Sequence, residues 1–129
     1  SRSSAASDVY KRQDEGLPYV FVAGSEMLEG FSEQQADEQQ RFIEQFLRAS
    51  EDFQTEFGYS AGKYRADMLK LASKYIGHTF KCVSLTLEMP FKDNAHSPEP
   101  KLGWNGARSA KLGQEILQPI LHHLERSAR

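Results

Sequence analysis

One cysteine, Cys82, is all that the 129 residues contain. It excludes an internal disulfide framework and any zinc site built mainly from cysteines. No apolar run approaches the roughly 20 residues needed to cross a bilayer, so a membrane-spanning helix is excluded and no membrane partner is expected. Neither sign of charge dominates: 16 basic residues stand against 18 acidic ones, with a pI near 6.1. That balance gives no electrostatic case for nucleic acid as a partner. No internal repeat is visible. The chain is long enough for one ordinary domain and too short for two. What is present fits a globular protein, with 39% apolar and 26% charged residues.

The first 13 residues, SRSSAASDVYKRQ, stand apart from the rest. They lack the apolar core of about 7–15 residues that a secretory signal requires. As a native segment they read as a disordered tail, because they cannot bury enough surface to offset their ordering entropy. Asp8 to Gln13 also resembles the translation of a transposase adapter used in shotgun sequencing, in which case the native sequence starts near Asp14. Without the segment, 13 basic residues face 17 acidic ones, a net charge of -4.

Leu17 to Ala23 is a continuous apolar run ending at Gly24. Its aromatic and β-branched content favours a strand buried on both faces, as in a parallel sheet under helices. Ser32 with Gln35 three residues on forms a capping-box pattern that opens a helix. Phe42, Ile43, Phe46 and Leu47 share one face of it, and the acidic and amide residues between 33 and 45 form a solvated face. Residues 57–62 (FGYSAG) read as a surface loop. A second helix is expected from about Tyr64 to Ile76, with Met68, Leu69, Ala72, Tyr75 and Ile76 as its core stripe and Gly77 as its C-terminal cap.

Thr79 to Met89 reads as a second strand, terminated by Pro90. Val83, Leu85, Leu87 and Met89 fall on one face, with Cys82, Ser84, Thr86 and Glu88 on the other. Residues 91–106 are polar and punctuated by Pro and Gly, a long loop of the kind that carries function. Leu112, Ile116, Leu117, Ile120, Leu121 and Leu124 mark a closing amphipathic helix, in which Pro119 predicts a kink or a restart. The order strand, helix, helix, strand, helix is an α/β layer arrangement.

Glu88 is the candidate catalytic residue. It stands at the carboxyl end of a strand, where ligands gather in open α/β sheets. A carboxylate in that position suits a general base. The residues alone allow equally a structural glutamate that caps the loop or pairs with Lys92 or Lys81.

Leu85-Thr86-Leu87-Glu88-Met89-Pro90-Phe91-Lys92-Asp93-Asn94 closely resembles the catalytic-glutamate segment of bacterial zinc carboxypeptidases of the cytosolic carboxypeptidase-like group, within the carboxypeptidase A superfamily. The resemblance runs from Asp14 almost to the C-terminus. It includes Pro18 to Glu26, Asp52-Phe53-Gln54-Thr55-Glu56 with Gly58-Tyr59, Gly103-Trp104, Arg108-Ser109 and Lys111-Leu112-Gly113. It implies that residues 14–129 are the C-terminal portion of a mixed-sheet zinc-carboxypeptidase fold with helices packed on the sheet. It further implies a cytoplasmic enzyme with a peptide substrate and zinc as cofactor, held by two histidines and a glutamate. Glu88 would then be the unligated carboxylate that takes the proton of the attacking water and passes it to the leaving amine.

The same resemblance places all three zinc ligands upstream of Asp14. The third falls at position 12 in a stretch like Asp-Val-His-Gly-Asp-Glu, where Arg12 and Gln13 stand in place of His-Gly. The arginines that grip the substrate carboxylate lie upstream as well. The chain alone is therefore expected to hold no catalytic zinc, to turn over no substrate, and to be poorly stable because its strands want neighbours. His96-x-x-Glu99 and His122-x-x-Glu125 match a two-ligand spacing formally, but both follow Glu88. The first contains Pro98, and the second reads as a surface pair at i and i+3. His78 reads as a helix-end residue, and Cys82 as a small buried hydrophobe. Two other functions fit the chain: an N-acyl amino acid deacylase of the same superfamily, and a non-catalytic interaction module.

Overall fold

A computed structural model describes residues 16–59 and 66–129. Two short strands, β1 (Phe21–Ala23) and β2 (Thr86–Glu88), pair antiparallel. Among the described residues four α-helices are numbered in chain order: α1 (Glu33–Ala49), α2 (Ala72–Phe80), α3 (Gly106–Glu115) and α4 (Leu117–Ser127). A 3-10 turn over Ala66–Lys70 leads into α2. Val20, just ahead of β1, makes a parallel bridge to Phe53. Both strand directions thus meet around β1, in a mixed arrangement of helices and a small sheet. No helix among the described residues is long and apolar enough to cross a membrane. The readings of residues 1–13 and of position 12 fall outside the described residues, as does the start of the second expected helix.

The opening of α1 follows its sequence closely. Ser32 has extended backbone and its hydroxyl accepts from the Gln35 backbone N–H at 3.1 Å. The Gln35 side chain in return accepts from the Ser32 backbone N–H at 3.2 Å, completing the capping box. The apolar face of α1 then turns inward except at Leu47, which was expected on that face but is exposed. Phe46 stacks on Phe53 with ring centroids 4.1 Å apart, and both join Val20 and Leu112 in the core. Phe42, Ile43, Val22, Leu87, Trp104 and Ile116 pack around them. Each of the fully buried apolar side chains contributes about 1.5–3 kcal/mol by leaving water.

The expected parallel strand of residues 17–23 is corrected to a three-residue strand in an antiparallel pair. The expected strand of residues 79–89 is likewise shortened to Thr86–Glu88. Residues 79 and 80 complete α2, and Lys81 ends it with a left-handed backbone, φ 53°, its N–H returning to the Gly77 carbonyl.

Gly77 is therefore an interior residue of α2 and not its cap. Here close packing outweighs the helix-breaking tendency of glycine. A Cβ at position 77 would lie 2.5 Å from Ser25 Oγ and 3.3 Å from Ser84 Cβ. The bare backbone also lets the Gln35 amide donate to the Gly77 carbonyl at 2.9 Å. The stripe read as core on this helix is only partly so. Met68 and Leu69 are half-buried, whereas Tyr75 and Ile76 are 52% and 43% exposed.

The restart expected at Pro119 does occur. α3 ends at Glu115, Ile116 lies between the helices, and Pro119 is buried in the first turn of α4, where its missing N–H has no intrahelical partner to lose.

Candidate active site

Glu88 is the last residue of β2 and stands directly opposite Phe21 of β1. Side chains of directly opposed residues share a face, and successive residues alternate. Val22 and Leu87 accordingly face the core, while Phe21, Thr86 and Glu88 face the other side of the sheet. That separation follows from the period-two pattern of the Thr86–Glu88 segment.

The second face is partly covered. Phe21 is buried, its ring met edge-on by Tyr59 at a centroid distance of 5.0 Å, and Tyr19 stacks on Phe57 at 4.6 Å. Thr86 shares a 2.8 Å hydrogen bond with Ser73 of α2 through their hydroxyls. Glu88 is half-buried, and among the described residues its carboxylate makes no hydrogen bond and no ion pair. The lysines that could have neutralised it are engaged elsewhere or turned to solvent. Lys81 Nζ donates to the Gly30 carbonyl at 3.1 Å, and Lys92 is exposed. The structural pairing open to Glu88 in the sequence is not formed.

Immediately after Glu88 the chain enters a loop that is tied down at several points. Pro90 is buried. The Ala95 N–H donates to the Pro18 carbonyl at 2.8 Å, and the Trp104 N–H donates to the Lys92 carbonyl at 2.7 Å. Gly103 adopts φ 61°, and a Cβ there would collide with that same Lys92 carbonyl oxygen.

The strongest tie is a buried polar network. Arg108 donates to Asp52 Oδ1 at 2.6 Å, to Asp93 Oδ1 at 3.0 Å and to the Ser97 carbonyl at 2.8 Å. Its guanidinium also lies 4.8 Å from the centre of the Trp104 ring. Asn94, fully buried, donates to the Asp52 carbonyl at 2.9 Å, and the Ser97 hydroxyl donates to Asp52 Oδ1. Burial alone would raise the Asp52 pKa. The hydrogen bonds from Ser97 and Arg108, the Arg108 charge and the Asn94 amide outweigh it and hold the carboxyl below its ordinary 3.8.

This network was not foreseen from the residues. Its members are 15, 42 and 56 positions apart along the chain, and no local period links them. The available signal was indirect: Asp52, Asp93, Asn94 and Arg108 all fall within the blocks that carry the family resemblance.

The two formal His-x-x-Glu matches do not form sites. His96 and Glu99 are exposed, and Glu99 Oε1 accepts from the Lys101 backbone N–H at 3.1 Å. His122 is half-buried in a groove with Glu38, Arg41 and Phe42 of α1, and the surface pair expected with Glu125 is not formed. His78 lies in the last turn of α2, with Nδ1 buried. Cys82 is free and half-buried. Among the described residues no three His, Cys, Asp or Glu side chains converge as a metal centre requires. The described side chains thus do not fit a resident zinc ion by themselves.

No protein-family model matches the chain. An uncharacterised protein of Zymomonas mobilis is 36% identical over 104 residues, covering 81% of this chain and 27% of that protein. Among solved structures, a metallo-carboxypeptidase from Burkholderia cenocepacia is 66% identical with a TM-score of 0.84, over 88% of this chain and 30% of that one. A metallo-carboxypeptidase from Pseudomonas aeruginosa, solved with (2-guanidinoethylmercapto)succinic acid, is 38% identical with a TM-score of 0.79, over 87% of this chain and 30% of that one. The chain thus spans about 30% of the length of these solved relatives.

Proposed function

The chain belongs to the metallo-carboxypeptidase family, and from that premise we propose that it is the part of a peptide-hydrolysing enzyme that carries the general base, Glu88. The observation that carries this reading is the state of Glu88: a half-buried carboxylate at a strand end, without a hydrogen-bonding or ionic partner among the described residues. A carboxylate with no structural partner is free to accept a proton from a water attacking a scissile carbonyl, and to return it to the departing amine. Anchoring the strand and the following loop through Asp52, Asn94 and Arg108 fixes where that carboxylate stands.

The metal of such an enzyme is zinc in this reading. Its ligands, and the arginines for the substrate carboxylate, come from sequence outside residues 14–129. The succinic acid derivative in the Pseudomonas structure is a carboxylate-bearing ligand, which supports a substrate that ends in a free carboxylate. The 129 residues alone are inactive on this view, and the working enzyme is cytoplasmic.

The test joins this chain to the part of the Burkholderia cenocepacia protein that it does not cover and assays release of a C-terminal residue. Hydrolysis is expected, with Glu88→Gln lowering kcat by about 10²–10⁴-fold at little changed KM. A Glu88→Gln enzyme as active as its parent overturns the assignment. Stoichiometric zinc and hydrolysis in the 129-residue chain alone overturn the proposed inactivity.

A further inference from the structure

The groove between α1 and α4 gathers nitrogen donors from both helices. It has a volume of about 100 Å³ and is lined by Glu38, Arg41 and Phe42 of α1 and by His122, His123 and Arg126 of α4. Arg41 and both histidines are half-buried, and Arg126 is exposed. Among the described residues neither guanidinium makes an ion pair or a hydrogen bond. Glu38 stands three residues before Arg41, a spacing that allows a pair, yet its carboxylate accepts from Gln34 Nε2 at 3.1 Å instead. Two guanidinium groups around one concavity repel each other, and without a counter-charge the helix contact bears that cost. The helix dipole accounts for Arg126 in the last turn of α4. It does not account for Arg41, which stands in the interior of α1.

We propose that this groove binds a tetrahedral oxyanion of the phosphate class, held by Arg41 from α1 and by His122, His123 and Arg126 from α4. The proposal goes beyond the hydrolytic reading and does not depend on it. The chemistry of the lining chooses the occupant. Arginine forks match the oxygens of phosphate and sulfate, and imidazole N–H groups add further donors. Together they offer more donors than the two oxygens of a carboxylate take up. The size agrees: a ligand of drug dimensions needs a site of roughly 300–1,000 Å³, so this groove takes a single small group. A metal ion is the wrong occupant, because among the described residues no three His, Cys, Asp or Glu side chains converge. At roughly 100° per residue, His122, His123 and Arg126 project from the side of α4 opposite Leu117, Leu121 and Leu124. Whatever meets those exposed leucines therefore leaves the groove open.

The test follows the ring-proton NMR signals of His122 and His123 in the full 129-residue chain as sodium sulfate is added, with sodium chloride at matched ionic strength as the reference. Sulfate is expected to shift both histidines saturably. It should also raise the melting temperature above the chloride value, because an anion that binds only the folded state stabilises it. Arg41→Gln and Arg126→Gln should each weaken sulfate binding about three- to tenfold. Glu38→Gln should strengthen it by removing a like charge, and Arg48→Gln, at an exposed arginine of α1 outside the groove, should leave it unchanged. Arg126 is exposed, so its variant keeps the fold, which circular dichroism checks. Inorganic phosphate and glycerol phosphate, titrated in the same way, distinguish a free ion from a phosphoryl group on a larger ligand; a preference for either supports the site. The chain joined covalently to the part of the Burkholderia cenocepacia protein that it does not cover should bind sulfate alike, and it carries the test where the 129 residues alone do not stay folded. An equal response to chloride overturns the proposal. So does a sulfate response indifferent to both arginine substitutions, or its loss in the joined chain. Binding is read without any assay of hydrolysis, so failure here leaves the proposed function standing.

Discussion

Arg108 and Asp52, 56 residues apart in the chain, meet at 2.6 Å. Asp52 is 5% exposed, and the pair joins helix α3 to the segment that bridges to Val20 beside β1. The contact therefore ties the segment beside β1 to the loop that follows Glu88, because Arg108 also donates to Asp93 and to the Ser97 carbonyl. Removing one member of a buried, hydrogen-bonded pair leaves the other charge without compensation.

Arg108→Ala is expected to destabilise the chain by about 2–4 kcal/mol, discounted from the fully buried case because the arginine side chain keeps 17% exposure. Arg108→Lys should recover less than half of that, since a single ammonium cannot bond Asp52, Asp93 and the Ser97 carbonyl together. Urea midpoints measure both. An Arg108→Ala midpoint equal to the parent's would show that the network contributes nothing to stability.

The same network sets an acid limit. The Asp52 pKa in the folded chain lies below the 3.8 of an unperturbed carboxyl. A depressed folded pKa contributes stability that is fully present above 3.8 and is lost as pH falls through the folded value. Stability followed by fluorescence from pH 6 down to 2 should fall in that lower window. Asp52→Asn should start less stable and show a shallower loss there. An unchanged acid profile in Asp52→Asn would contradict the linkage.

Gly77→Ala places a methyl 2.5 Å from Ser25 Oγ. The helix preference of alanine, worth about 1 kcal/mol, is outweighed by overpacking of about 1–3 kcal/mol. The variant is expected to melt below the parent, and Ser25→Gly should restore part of the loss because it vacates the space. A thermal shift upward in Gly77→Ala alone would count against this packing.

Glu88→Gln should change stability by no more than about 0.5 kcal/mol, because no partner is lost and the shape is kept. Chemical denaturation of the two proteins side by side decides it. A loss of 2 kcal/mol or more, on the scale of a broken buried interaction, would point to a structural role for this carboxylate.

Several local signals in this sequence, where residues a few positions apart interact, were legible. Ser32 and Gln35 cap α1 as their spacing predicts, Pro119 marks a helix restart, and the alternation of Leu87 and Glu88 assigns them to opposite faces. The candidate base was legible too, as a carboxylate at a strand end within a ten-residue block resembling a known family. The sequence could not give the direction of the strand pair, because the register of Phe21 against Glu88 depends on chain that lies 67 positions away. Nor could it give the course of α2 past Gly77, which is decided by the nearness of Ser25 and Ser84.

What the order of residues determined by itself, then, was periodicity and capping, since those reside in spacings of two to four, and it offered Glu88 as the candidate base. Tertiary structure alone decided which groups neutralise one another. Asp52 is held by Arg108, Ser97 and Asn94, whereas Glu88 is left without a partner among the described residues. The physical reason is that charge compensation depends on distances in space, and nothing in the local sequence distinguishes a carboxylate that will be paired from one that will not.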